Sequence, residues 1–176
     1  MQPDLAQAPS VPALLRARRT EDSPALRVKR LGLWTGISWR EYSARVDGLA
    51  REIMELGHEP GDRVAILCEN RPEWLIADLA IQTAHGATVG VYTTSSPEQL
   101  AYHVNHSGSV GLILEDAEQL EKWLAIKHAC PTVKWVVVVE PEDVEDILAW
   151  DDVVAAGRKR YEQDPGPLDA RLDAIE

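Results

Sequence analysis

The apolar residues of this chain change period as the sequence proceeds, and each change marks an element. Tyr42, Val46, Leu49, Ile53 and Leu56 recur at steps of three and four, along one face of a helix that begins near Trp39. Ser38 and Glu41 stand at capping-box spacing: the hydroxyl is expected to serve a free helical N–H and the carboxylate to reach back. Gly57 supplies a left-handed stop. Ahead of this helix, residues 25–30 and 33–39 read as two short strands around Leu31-Gly32, a hairpin leading into it. After it, Pro60-Gly61-Asp62 is turn chemistry, residues 64–67 form a short apolar run, and Pro72 fits the first helical position, where a missing N–H costs nothing. That stretch predicts a βα unit with Trp74 as a core anchor.

The alternation then repeats. Trp74, Ile76, Leu79, Ala80 and Thr83 predict a helix that Gly86 can end, and residues 87–92 the next strand. Ser96, Pro97 and Gln99 give a second start signal, for a helix to about His106. Residues 110–115 read as a strand, 117–129 as a helix, and 133–139 as a strand so apolar that both its faces should be covered. Residues 142–157 read as an acidic helix carrying Val144, Ile147, Leu148 and Val153. Beyond Arg158 the pattern fades, and Asp164-Pro165-Gly166-Pro167 reads as linker. Strand and helix alternating in this way predict an α/β fold: a Rossmann-like, mostly parallel sheet with right-handed connections and helices on both faces, preceded by an N-terminal β-hairpin. The expected division is a flexible tail at 1–10, a partial α/β domain at 11–157 and a linker-like end at 158–176.

Charge narrows the function classes. The formal charge is −11, and residues 61–176 hold nine basic against 21 acidic side chains, which repels a phosphate backbone and argues against nucleic-acid binding. Arg16, Arg18 and Arg19 form a small basic cluster that Glu21 and Asp22 follow, the pattern of a solvated helix end. Phe is absent, so Trp and aliphatic side chains must fill the core. Two cysteines, Cys68 and Cys130, indicate neither a disulfide framework nor a zinc cluster. No apolar run approaches the ~20 residues that span a bilayer, and the N-terminus lacks the apolar stretch of a signal peptide, so a cytoplasmic chain, soluble or peripheral at a membrane, is expected.

A Rossmann-like order raises the question of a nucleotide site, yet neither G-x-G-x-x-G nor G-x-x-x-x-G-K-[ST] occurs. Gly86-Ala87-Thr88-Val89-Gly90 lies between a helix end and a strand, as a tight entry to the sheet. His103 and His106 share a helix face with no further ligand at metal spacing. Thr93-Thr94-Ser95-Ser96 falls where a strand ends and a helix begins, the place where α/β proteins bind ligands, although capping already explains Ser96. Ser43, Ser107 and Ser109 lack nucleophile-elbow glycines. Asn70 is expected to cap the helix after it, and Arg71 to pair with an acid. No residue is assigned a catalytic, cofactor-binding or metal-binding role.

Ile37-Ser38-Trp39-Arg40-Glu41-Tyr42, Leu56-Gly57, Pro60-Gly61-Asp62-Arg63-Val64-Ala65-Ile66, Asn70-Arg71-Pro72-Glu73-Trp74 and Ser96-Pro97-Glu98-Gln99 resemble, in register over residues 11–157, the N-terminal region of adenylate-forming (AMP-binding) enzymes. The branch they most resemble is the long-chain acyl-CoA synthetases. The resemblance implies a ligase that converts a fatty acid and ATP, with Mg²⁺, to acyl-AMP and then to acyl-CoA. It also implies that the phosphate loop, the magnesium-binding Glu and the catalytic Lys lie after the region matched, so no cofactor is expected for this chain alone. Its implied partner is the remainder of the synthetase, in cis or as a separate chain, with peripheral membrane contact and self-association left open. A non-enzymatic α/β partner module, one half of a split synthetase, and an unrelated nucleotide-binding domain are the alternatives. Two departures stand out: Gly90 and Thr93 where the family commonly has prolines, and His85 where a small residue is more usual.

Overall fold

The structure is a computed structural model that describes residues 10–142 and 147–175. Ser10 caps helix α1 (Val11–Arg18), accepting from the Ala13 N–H. The hairpin follows as β1 (Pro24–Arg30) and β2 (Leu33–Ser38), antiparallel, with Leu31 and Gly32 at φ 48° and 81° in the turn. Two consecutive left-handed residues give the turn a twist that matches the strands.

Helix α2 (Trp39–Glu55) starts where the sequence predicts, and the Ser38 hydroxyl accepts from the Glu41 N–H at 3.2 Å. The reciprocal half of the expected box is replaced: the Glu41 carboxylate turns to Arg45 and to Arg158, because two guanidiniums offer more than one backbone N–H. Then come β3 (Arg63–Leu67), α3 (Pro72–Thr83), β4 (Ala87–Val91), α4 (Pro97–Ser107), β5 (Gly111–Leu114), α5 (Ala117–Ile126) and β6 (Trp135–Val138). The capping box of α4 is complete, with Ser96 and Gln99 each serving the other's N–H. At the end of α3 the left-handed residue is His85 (φ 63°), whereas Gly86 is needed for space: a Cβ there would overlap the ring of His58.

The C-terminal quarter departs from expectation. Residues 143–146, including Val144 of the anticipated acidic helix, lie outside the described residues, and Leu148 and Ala149 form a short strand, β7. Helix α6 (Trp150–Gln163) begins after it and runs through Arg158-Lys159-Arg160, and α7 (Gly166–Asp173) follows. Those stretches are helical rather than linker-like because Leu168 and Leu172, one turn apart, reach the core, and Arg171 donates to the His58 and Ala84 carbonyls.

The main sheet has strand order β4-β3-β5-β6-β7, all parallel. Side chains alternate across it as strand geometry requires. Val64, Ile66, Ile113 and Val137 pack with α2, α3 and α6 on one face, and Ala65, Leu67, Leu112, Leu114, Val136 and Val138 pack with α4 and α5 on the other. Both faces are covered, as the apolar strands demand.

Candidate functional site

The sheet places one crevice by topology. From β3 the chain moves through α3 to β4 on one side, then returns through α4 to β5 on the other, so the order reverses between β3 and β5. Open α/β sheets bind ligands outside the C-terminal ends of their strands at such a point. Here that point lies beside Cys68, Glu69, Asn70 and Arg71 after β3, and beside Glu115 and Asp116 after β5.

Arg71 fills it. The backbone extends at Arg71 (φ −140°), which is the N-cap position of α3; Asn70 precedes the cap and no side-chain cap bond forms. Pro72 at the first helical position makes this more tolerable, because it removes one of the N–H groups that have no partner within the helix. The Arg71 guanidinium, which carries only donors and so cannot cap, donates to Glu73 (2.7 Å), Glu115 (3.1 Å) and Glu140 (2.7 Å). Burial pulls its pKa down, but the bonds to Glu73 and Glu140 outweigh that and hold it above the ordinary arginine value. Glu115 also accepts from the Glu69 N–H at 2.7 Å. The Thr93 hydroxyl bonds to the Glu69 carboxylate, and the Lys122 ammonium donates to the Thr93 carbonyl at 2.5 Å and to the Gln119 side chain at 2.9 Å. A single chain of polar contacts thus ties the loops after β6, β3, β5 and β4 to helix α5.

This arrangement limits the chemistry. Three carboxylates (Glu73, Glu115 and Glu140) hold one committed guanidinium and Glu69 adds a fourth on the neighbouring loop, so the local field repels anions. Burial first, and then the Glu115 charge, push the Cys68 thiol up to about 12, which keeps it from acting as a thiolate nucleophile. Two of the clefts that flank the cluster share a wall. One, of about 380 Å³, is lined by Cys68, Glu69, Asn70, Trp74, Tyr92 and Thr93; the other, of about 330 Å³, by Leu26, Val28, Pro72, Trp74 and Leu75 among others. Trp74 is their common wall and only half-buried: it packs against the core cluster as expected, but its ring also lines both clefts. The pairing of Arg71 with an acid was legible; its acids were not, since Glu115 and Glu140 lie 44 and 69 residues away.

The remaining candidates fall elsewhere. His103 and His106 are exposed on α4, with Tyr102 stacked on His106 at 5.3 Å. Among the described residues no group of His, Cys, Asp and Glu could hold a metal ion, and no helix is long and apolar enough to cross a membrane. Ser43 donates to the Leu15 carbonyl, and Ser107 to the His103 carbonyl, so both serve as local ties. The arginine cluster stays at the surface, with Arg19 exposed, and is also pinned. Arg18 lies 4.0 Å from the Trp39 ring centroid, Arg16 bonds Asp173 and Arg19 bonds the Tyr161 hydroxyl.

Comparison with known proteins agrees with the architecture. The chain is 33% identical over 153 residues to the long-chain-fatty-acid–CoA ligase ACSBG1 of Mus musculus, covering 85% of this chain and 21% of that protein. It is 29% identical over 168 residues to the long-chain-fatty-acid–CoA ligase FadD15 of Mycobacterium bovis, covering 94% of this chain and 27% of that protein. Its fold matches acetoacetyl-CoA synthetase from Streptomyces lividans with a TM-score of 0.73 at 24% identity, over 81% of this chain and 24% of that one. The chain therefore spans about a fifth to a quarter of the length of these relatives. The AMP-binding enzyme family matches residues 15–171, nearly all of the described fold, and the chain belongs to that family.

Proposed function

We propose that this chain is the N-terminal scaffold portion of an ATP-dependent fatty acid–CoA ligase, and that by itself it does not turn over substrate. The whole enzyme would join a fatty acid to ATP as acyl-AMP, releasing pyrophosphate, and pass the acyl group to coenzyme A. The observation that carries the reading is the Arg71 cluster. At the crevice where an open α/β sheet would hold a ligand, the cationic group is already shared among Glu73, Glu115 and Glu140. The described residues do not fit a triphosphate there: carboxylates outnumber cations, and no glycine loop offers backbone N–H groups. No catalytic step is assigned to them.

What these residues do is hold the loops at the sheet's C-terminal edge in register, a platform on which the rest of a ligase, in cis or as a separate chain, would supply nucleotide contacts. The family match and the named fatty-acid ligase relatives support this reading. The test is pyrophosphate release from ATP, Mg²⁺ and palmitate. The 176-residue chain alone is expected to release none, and adding the remainder of the ligase as a second chain is expected to restore palmitoyl-CoA formation. Palmitate-dependent release by the chain alone would refute the proposal.

A further inference from the structure

The hairpin differs in charge and exposure from the body that carries it. Residues 24–38 contain three basic side chains and no acidic one, in a chain whose formal charge is −11. Its base is half-buried: Ala25, Leu26 and Ile37 pack against the core, and Val28 faces Arg71, Pro72 and Trp74 across a cleft. Its tip is bare, with Leu31 at 103%, Leu33 at 73% and Trp34 at 69% exposure. Lys29 pairs with Trp34 across the strands and so shares its face, while Arg27 lies two residues further back on that face. Other exposed apolar side chains, such as Val11, Tyr102 and Leu124, lie on separate helices.

We propose that the tip of this hairpin docks on anionic lipid surfaces, with Leu31, Leu33 and Trp34 entering the headgroup boundary and Arg27 and Lys29 meeting lipid phosphates or carboxylates behind them. An apolar tip with an aromatic ring and basic residues behind it is the chemistry of interfacial membrane contact. The tip also escapes the field of the acidic body. From Val28 to Leu31 is three strand steps, about 10 Å, close to one Debye length at physiological salt. Three side chains around a two-residue turn are also a small area beside the roughly 800 Å² per partner of a stable protein interface. The proposal rests on the hairpin alone and is independent of the ligase reading.

The experiment is vesicle pelleting of the chain with phosphatidylcholine alone and with 30% phosphatidylserine. Binding is expected to the anionic vesicles, several-fold weaker to phosphatidylcholine and in 0.5 M salt. Leu31→Asn with Trp34→Ser, in which Asn tolerates the left-handed turn position, should lower partitioning about tenfold, and Lys29→Glu alone several-fold, with unchanged circular dichroism. Absence of pelleting with anionic vesicles, or tip and charge variants that bind like the parent, overturns the proposal. So does a dimer, seen by light scattering, that Trp34→Ser dissolves while lipid binding is absent, since the tip would then be a protein contact.

Discussion

The seam where α2 crosses α6 and the C-terminal edge of the sheet both join segments far apart in sequence, the seam by close packing with the Arg158–Glu41 and Arg160–Glu52 pairs at its margins, the edge by charge. At the seam the two helices touch backbone to backbone. A Cβ on Gly48 would stand 2.7 Å from the Val154 carbonyl and from the Arg158 side chain, and one on Gly157 would overlap the Gly48 carbonyl. At the edge there is no such fit, and Arg71 with its carboxylates does the joining. Shape holds the buried layer, where water is excluded and close packing is available; charge holds the rim, where loops must meet without a core between them.

The contrast can be broken most severely at the seam. Gly157→Val should destabilise the chain by about 3 kcal/mol or more, because backbone cannot yield as a side chain can. Chemical denaturation measures it, and a midpoint within error of the parent would remove the steric account. The next largest effect belongs to the edge. Arg71→Met takes the shared cation from Glu115 and Glu140 and one partner from Glu73, at an expected cost of about 2–3 kcal/mol, reduced from the fully buried case because Glu140 remains largely exposed.

A smaller effect sharpens the comparison by reversing its sign. Asp47 lies beside the seam, in a cleft lined by Ser43, Arg158, Tyr161 and Asp169. Burial, with Asp169 adding to it against the opposing Arg19 and Arg16, pushes its pKa up to about 6 from 3.8. The folded chain therefore holds an extra proton between those values, so the stability this group confers is present below 3.8 and lost as pH rises through 6. Asp47→Asn should gain about 1–2 kcal/mol at pH 8 and nothing at pH 3.5. His58, buried with neither ring nitrogen hydrogen-bonded, has its pKa lowered by burial and acts the other way, costing stability as pH falls below 6.5. Comparing variant with parent at each pH cancels that shared term. A variant equal to the parent at pH 8 would show that charge is no liability at the seam.

How much of this the sequence disclosed follows from range. Periods of two and 3.6 are local, so β3, α2, α3 and the capping box at Ser96 were readable where they stand. Asp164-Pro165 does interrupt a helix, but Leu168 and Leu172 resume the pattern too briefly to register, so α7 reads as linker in the sequence. Two residues of β7 carry no period at all. His85 in a left-handed conformation contradicts side-chain preference, and it is tolerated because Gly86 must make room for His58, a tertiary demand. The site divides in the same way. Its place at the strand ends was legible from Thr93 and from Arg71 seeking an acid, but its composition depended on loops brought together only by the sheet.

The central claim is that this edge is structural platform and holds no nucleotide alone. Isothermal titration of MgATP into the chain, parent and Arg71→Met side by side, tests it most directly. The account predicts no binding heat for the parent at up to millimolar nucleotide. Micromolar binding that Arg71→Met abolishes would contradict it, because Arg71 would then be serving phosphate and not its three glutamates.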